Sequence, residues 1–315
     1  MNLNESYKVV KNSIVAFFGK YTPLDENQTI PPFPEILGTG VVVREDGLIA
    51  TNDHVVRAFK KVHKPANAPA NEWPVRALLL KRVEEGQLRI CLDILRISRI
   101  GDFSPSKNYY GPQEGPDIAF VRVNAKGLPA LAIQDSFYYE EGLEVATAGY
   151  PMGTDALTAP GYLHQITPTL QRGIISAVLP FECNSPHAFA INIMTQGGAS
   201  GSPVFLPNKG RIIGILYAGL NDDVSKVYNA HIFYSVPTNI SYVVPSHYLT
   251  KALEILDKDD PFQLPEDTKT FDSIVEKARS QSQQGDSHSH YDIQTNLADY
   301  RERKIEFLKP PKCNE

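Results

Sequence analysis

"GTGVVVREDGLIATNDHVV", residues 38–56, sets the reading of the whole chain. Two apolar runs flank a polar turn at Asp46-Gly47. An Asp-Gly between apolar runs is the strongest short-range signal for a β-hairpin. Moving outward, strand-like runs recur at "VRALLLKRV", "LRICLDILRIS", "DIAFVRV", "LEVATAGY", "LQRGIISAVL", "AFAINIMT", "SPVFL", "RIIGILYAGL" and "HIFYSVP". They are rich in Val and Ile and are punctuated by Gly, Pro, Asn and Asp. Long helical periods are missing between them. The pattern predicts an all-β barrel or sandwich rather than alternating strands and helices.

Two helices are expected. "PSHYLTKALEILDK" offers Ser246 as an N-cap and Tyr248, Leu249, Ala252, Leu253 and Leu256 on one face. The opening "NESYKVVKNSIVAFF" reads as a short helix turning into a strand. "KKVHKPANAPANEWP" reads as an inserted surface loop. "RSQSQQGDSHSHYD" is polar and of low complexity, which predicts disorder. Its His288 and His290 read as solvated histidines rather than metal ligands. "LADYRERKIEFLKPP" is expected to form a short docking helix.

Composition narrows the function. The chain has 315 residues, 42% of them apolar, and a net charge of −5. With no basic block, nothing is suited to neutralising nucleic-acid phosphates. No run approaches the ~18 apolar residues of a membrane span. The opening lacks a basic segment followed by an apolar stretch, so no secretory leader is expected. Cys91, Cys183 and Cys313 are far apart and odd in number, which fits reduced thiols and a cytoplasmic protein better than a disulfide framework.

The chemistry-bearing candidates sit at element ends. A nucleophilic serine needs a base, an acid that orients the base, and N–H groups for the oxyanion. "QGGASGSPVF" places Ser200 beside Gly198 and Gly201, and the amides of Gly198 and Ser200 could aim at one point. A glycine-rich turn explains the same letters. His54, in "IATNDHVV", is the candidate base at the expected end of a strand. Asp117, in "GPDIAFVRV", is the candidate acid. Taken alone, His54 reads better as a satisfied strand-end histidine and Asp117 as a turn residue. Asp53 is a poorer acid, because neighbours in an extended segment face opposite sides. Ser202 stands where a strict G-x-S-x-G elbow has its last glycine, which excludes an α/β-hydrolase in that form. The order His54, Asp117, Ser200, with gaps of 63 and 83 residues, suits a two-lobed β structure with its site in the cleft.

Together these segments resemble HtrA-like serine proteases of the trypsin fold. "GTGVVVREDGLIATNDHVV" is similar to their first-barrel hairpin, and "DIAFVRV" to their aspartate strand. "LEVATAGYPMG" and "LQRGIISAV" resemble the first strands of their second barrel. "GGASGSPVFLPNKGRIIGILYAG" resembles the nucleophile loop, and "FYSVPTNISYVVPSHYL" the closing strand and terminal helix. The match is collinear from about residue 10 to 256.

The resemblance implies two antiparallel six-stranded barrels, about 10–135 and 136–245, within a protease domain spanning 1–260. A polar, partly disordered tail with possible short helices would fill 261–315. It implies a His54–Asp117–Ser200 triad, an oxyanion hole at the Gly198 and Ser200 amides, and hydrolysis of protein or peptide substrates through an acyl-enzyme. No metal or organic cofactor is called for. Met194 and Thr195 would line the specificity pocket opposite Tyr217, Ala218 and Gly219. With no carboxylate at its base, the pocket predicts a small or medium apolar residue before the scissile bond. Ordinary core packing is the plainer reading of Met194. The 59 residues after position 256 are too few for the PDZ domains common in such proteins. A trypsin-fold protein that only binds, or an effector triggered by a partner at loop 61–74 or at the tail, are the competing expectations.

Overall fold

The computed structural model describes residues 1–21, 36–83, 86–100, 116–134, 138–151, 167–224, 234–259, 261–283 and 291–293. His288, His290, Cys313 and the helix expected at 297–311 lie outside the described residues.

The chain opens with α1 (Leu3–Val10), whose N-terminus carries a capping box: Asn2 and Glu5 each bond the other's backbone N–H. It passes through a 3₁₀ turn into β1 (Ile14–Gly19), as the opening letters predict. β2 (Ile36–Arg44) and β3 (Leu48–Thr51) form the Asp46-Gly47 hairpin, with Gly47 at φ 86°. The short helix α2 (Asp53–Ala58) follows, then β4 (Val75–Val83), β5 (Gly86–Arg99) and β6 (Ala119–Val123). Pairing of β5 with both β4 and β6 closes the first antiparallel barrel. The second barrel contains β7 (Glu144–Gly149), β8 (Thr169–Leu179), β9 (Ala188–Ile191), β10 (Pro203–Phe205), β11 (Ile212–Val224) and β12 (Tyr234–Pro245). It closes in the order β10-β11-β12-β9-β8-β7. The architecture is therefore two closed six-stranded antiparallel barrels followed by α3 (Ser246–Asp259), as expected.

The strands read as continuous apolar runs because both of their faces are covered. Successive side chains on a strand point to opposite faces. In β1, Val15 and Phe17 enter the first barrel, while Ile14, Ala16 and Phe18 join a second core between the barrels. In β6, Val121 and Val123 point inward and Phe120 faces the inter-barrel core. β7 repeats the rule, with Val145 inside the second barrel and Ala146 and Ala148 outside it. The shared core also takes Val10 of α1 and Leu249, Ala252 and Leu256 of α3. Each fully buried side chain of this size contributes roughly 1.5–3 kcal/mol. Apolar packing between the barrels thus fixes one against the other.

Three sequence expectations need correction. Ser246 is not a cap. Its hydroxyl donates to the Gln134 carbonyl at 2.6 Å and pairs with the Tyr139 hydroxyl, tying the helix start to the second barrel. His54 lies in the first turn of α2, not on a strand. Residues 261–283, expected in a polar tail with possible short helices, pack against the first barrel instead of lying apart from it. They contain α4 (Phe271–Gln283), whose Phe271, Val275 and Ala278 enter the first barrel's core. Lys126 N–H donates to the Lys269 carbonyl, and Phe271 N–H donates back to Lys126. Phe262 lies under the guanidinium groups of Arg122 and Arg96. β13 (Tyr291–Ile293) adds a seventh strand against β5. The loop at 61–74 is folded back on itself, with Lys64 Nζ donating to the carbonyls of Ala70 and Glu72.

Candidate active site

The first barrel brings His54 and Asp117 together. Asn52 has extended angles at the N-cap position of α2, so the chain turns into a helix there. The first-turn N–H of His54 has no helical partner. It donates to Asp117 Oδ1 at 3.0 Å. The ring Nδ1 lies 2.5 Å from Asp117 Oδ2. A carboxylate on Nδ1 selects the Nδ1–H tautomer and leaves Nε2 as an acceptor. Asn52 Nδ2 donates to the Asp117 carbonyl at 2.8 Å, which fixes the Asp117 backbone to the helix that carries His54. The His54 side chain is 46% exposed and that of Asp117 25%, so the ring borders solvent and its partner is half covered.

Asp53 takes no part in this pair. Its carboxylate is nearly buried and bonds Arg99 on β5 and Arg57 one turn on. Burial would raise its pKa, but the two guanidinium groups hold it below the usual carboxylate value. The expectation that Asp53 faces away from the ring holds, though through helical geometry rather than strand alternation.

Ser200 belongs to the second barrel, in the turn before β10. Gly198 has φ 90°, and Ala199 N–H donates to the Gln196 carbonyl at 3.1 Å. Positive φ at the third residue, without positive φ at Gly197, is the signature of a type II turn. A type I turn here would reverse the Gly197–Gly198 peptide and put its carbonyl where its N–H now points. The N–H groups of Gly198 and Ser200 find no acceptor among the described residues. They remain available to a ligand. Ala199 is buried in the core of the second barrel, which suits an apolar residue at that position.

Thr39 on β2 joins this turn to the first barrel. Its N–H donates to the Ser200 carbonyl at 2.8 Å, and its hydroxyl donates to the Gly198 carbonyl at 2.7 Å. Its own carbonyl accepts from Thr51 Oγ1 at 2.7 Å, one residue before Asn52. A hydrogen-bonded path therefore runs from the Ser200 backbone through Thr39 and Thr51 to the start of the His54 helix. The closeness is possible only beside glycine. At Gly201, φ is +88° and a Cβ would lie 1.9 Å from the Thr39 carbonyl oxygen. Sequence alone does not single out Thr39, Thr51 and Asn52. Three fully buried polar residues around an apolar strand were the available signal.

The expected pocket residues gather at one edge. Thr195 is buried, and its hydroxyl meets that of Ser241 at 2.7 Å. A Cβ at Gly219 would lie 3.1 Å from Thr195 Oγ1, so the two expected walls touch there. Met194 is 45% exposed, which rules out the core-packing reading. Tyr217 is the extra residue of a bulge between Leu216 and Ala218. Burial pushes its phenol pKa up, and the nearby Tyr242 and Asp117 push it further. β10 pairs with β11 only as far as Ile215, so residues 217–219 carry no β10 partner on that edge.

Comparison with known proteins agrees with this layout. A probable periplasmic DegP-like serine endoprotease of Halomonas elongata is 26% identical over 179 residues, covering 57% of this chain and 28% of the relative. The magnetosome formation protease MamE of Paramagnetospirillum magneticum is 28% identical over 187 residues, 58% of this chain and 20% of the relative. The chain thus spans under a third of the length of the curated relatives it matches. An HtrA-type protease structure, AlgW with a decapeptide, superposes with a TM-score of 0.51 at 15% identity, over 82% of this chain and 68% of that one. At that identity the likeness concerns the fold. The model of the trypsin-like peptidase domain matches residues 38–215, more than half of the sequence, and the chain belongs to the trypsin-like peptidase family.

Proposed function

We propose that the chain is a serine endopeptidase acting through His54, Asp117 and Ser200. The observation that carries the reading is the His54–Asp117 pair, backed by a serine turn whose two N–H groups are left unbonded. Ser200 Oγ attacks the peptide carbonyl while His54 Nε2 takes its proton. Asp117 holds the ring and stabilises the imidazolium that forms. The amides of Gly198 and Ser200 receive the oxyanion. His54 then protonates the leaving amine, and water hydrolyses the acyl-enzyme by the same groups in reverse. Side chains and backbone supply every step.

Substrate would bind as an added strand on residues 217–219, the β11 edge beyond β10. The Thr195, Ser241 and Gly219 corner contains no carboxylate and little room, which supports a small or medium apolar residue before the scissile bond. A regulatory partner, if one acts, would meet loop 61–74 or the chain beyond α4. The free thiols of Cys91 and Cys183 support a cytoplasmic setting.

The test is labelling with a fluorophosphonate, with Ser200→Ala and His54→Ala as controls. Labelling of the wild type that vanishes in both variants supports the triad. A wild type that stays unlabelled refutes an assembled site and favours a latent or merely binding protein.

A further inference from the structure

We propose that two buried hydroxyls, those of Thr39 and Ser202, are positioning residues that clamp the oxyanion turn with its donors facing outward. The proposal rests on the serine-peptidase reading of Ser200 and adds to it what holds the turn in shape. Neither residue touches a reacting atom.

The Gly198–Ala199 peptide has its carbonyl held by Thr39 Oγ1 at 2.7 Å and its N–H by the Gln196 carbonyl at 3.1 Å. The Ala199–Ser200 peptide carries one of the two oxyanion donors. Its carbonyl accepts twice from Ser202, from the hydroxyl at 2.5 Å and from the N–H at 3.0 Å. The Ser200–Gly201 peptide is held at both ends, by Thr39 N–H at 2.8 Å and by the Leu216 carbonyl at 2.9 Å. Of these three peptides, the Ser200 N–H alone finds no acceptor among the described residues, and the Gly198 N–H, on the peptide before them, likewise finds none. A peptide pinned at its carbonyl has its N–H direction fixed as well, because the unit is planar.

Glycine turns need such help. The Gly197–Gly198 peptide separates a type II from a type I turn, and neither glycine has a side chain to bias the choice. Thr39 pins the carbonyl directly after that peptide. Its hydroxyl cannot turn aside freely, because it also accepts from Tyr150 N–H at 3.1 Å. Ser202 has a dedicated seat. A Cβ at Gly149 would lie 1.9 Å from Ser202 Oγ, so the chain leaves that position bare for the hydroxyl. Both residues are essentially buried, Thr39 at 0% and Ser202 at 2% exposure. Ser202 is thus more than a small residue tolerated next to Gly201, because it orients the nucleophile's own amide. Thr39 comes from the first barrel, so the hole in the second barrel is held by the barrel that carries the base.

The experiment compares wild type with Ser202→Ala, Thr39→Val and Thr39→Ser. Reaction with a fluorophosphonate is resolved into its maximal rate and its half-saturating concentration. The phosphonyl oxygen occupies the hole during bond formation, so clamp loss should act on the maximal rate. Ser202→Ala and Thr39→Val should each lower it roughly tenfold or more, up to the 10²–10³ typical for loss of a whole donor, with half-saturation unchanged. Thr39→Ser should restore most of the rate. Amide hydrogen exchange across 196–202 should quicken in the two deficient variants. Thr39→Val also leaves Tyr150 N–H without its acceptor, so Ser202→Ala settles the matter where Thr39→Val fails to fold. Wild-type rates and wild-type exchange in Ser202→Ala would overturn the proposal. If the wild type itself does not react, the peptidase reading fails, and the clamp is then judged on exchange alone: faster exchange in the variants supports it and unchanged exchange overturns it.

Discussion

Replacing Gly201 by Ala tests the closest approach between the two barrels. The residue sits at φ +88°, where an L side chain costs roughly 1–2 kcal/mol. Its new Cβ would lie 1.9 Å from the Thr39 carbonyl oxygen and 2.4 Å from Thr51 Oγ1. Real Cβ atoms stay beyond 3.0 Å, so β2 and the serine turn must part by about 1.1 Å. The Thr39 N–H bond to Ser200, now 2.8 Å, lies across that same gap and is lost. A lost hydrogen bond adds about 1 kcal/mol, giving about 2–3 kcal/mol in all. A displacement near 1 Å at the nucleophile should also slow fluorophosphonate labelling by ~10²-fold. Gly127→Ala is the control. Gly127 has φ +72° but nothing within 4 Å of its virtual Cβ, so it carries the backbone cost alone. Urea unfolding should place Gly127→Ala about 1–2 kcal/mol below wild type, with normal labelling. If Gly201→Ala unfolds with Gly127→Ala and labels at the wild-type rate, the close contact of Thr39 with the turn is refuted.

Two further outcomes are expected. His247 packs against the rings of Tyr248 and Tyr139, and its Nδ1 finds no partner among the described residues. Burial, with a smaller contribution from His187, lowers its pKa from 6.5 to about 4. Between those values the unfolded chain binds a proton that the folded chain refuses, so stability falls as pH drops through that window. The half-buried ring reduces the effect to about 1–2 kcal/mol, and His247→Gln should flatten the loss seen between urea midpoints at pH 7 and pH 4.5. Phe271→Ala should cost about 3 kcal/mol, because the ring is 3% exposed within the first barrel's core. A loss under about 1 kcal/mol would show that α4 is an accessory rather than part of the barrel.

The strands were legible because each apolar run had a turn at both ends, and the Asp46-Gly47 hairpin gave the register between two of them. α2 was not, since six residues make fewer than two turns and show no period. That is why His54 was assigned to a strand end, although its pairing with Asp117 did not depend on the error. α4 was readable in principle. Phe271, Val275 and Ala278 recur at i, i+4 and i+7, but the polar run that begins at Arg279 drew the segment into the tail.

What the letters could not carry is the shape of the serine turn. "GGAS" specifies freedom, and freedom allows both turn types. The choice is made by a hydroxyl 159 residues away in sequence, on the other barrel, and by a neighbour whose role depends on an empty place at Gly149. Residue type marks Ser200, His54 and Asp117 as the proposed nucleophile, base and acid, because chemistry permits few substitutes for those roles. Conformation depends on which long-range partners close the hydrogen bonds, and any of several threonines or serines could have done so on sequence grounds. The shape of the serine turn is therefore a property of the barrel pair. A fragment carrying the second barrel alone would keep Ser200 and Ser202 and lose the Thr39 contacts that hold the Gly198 and Ser200 carbonyls.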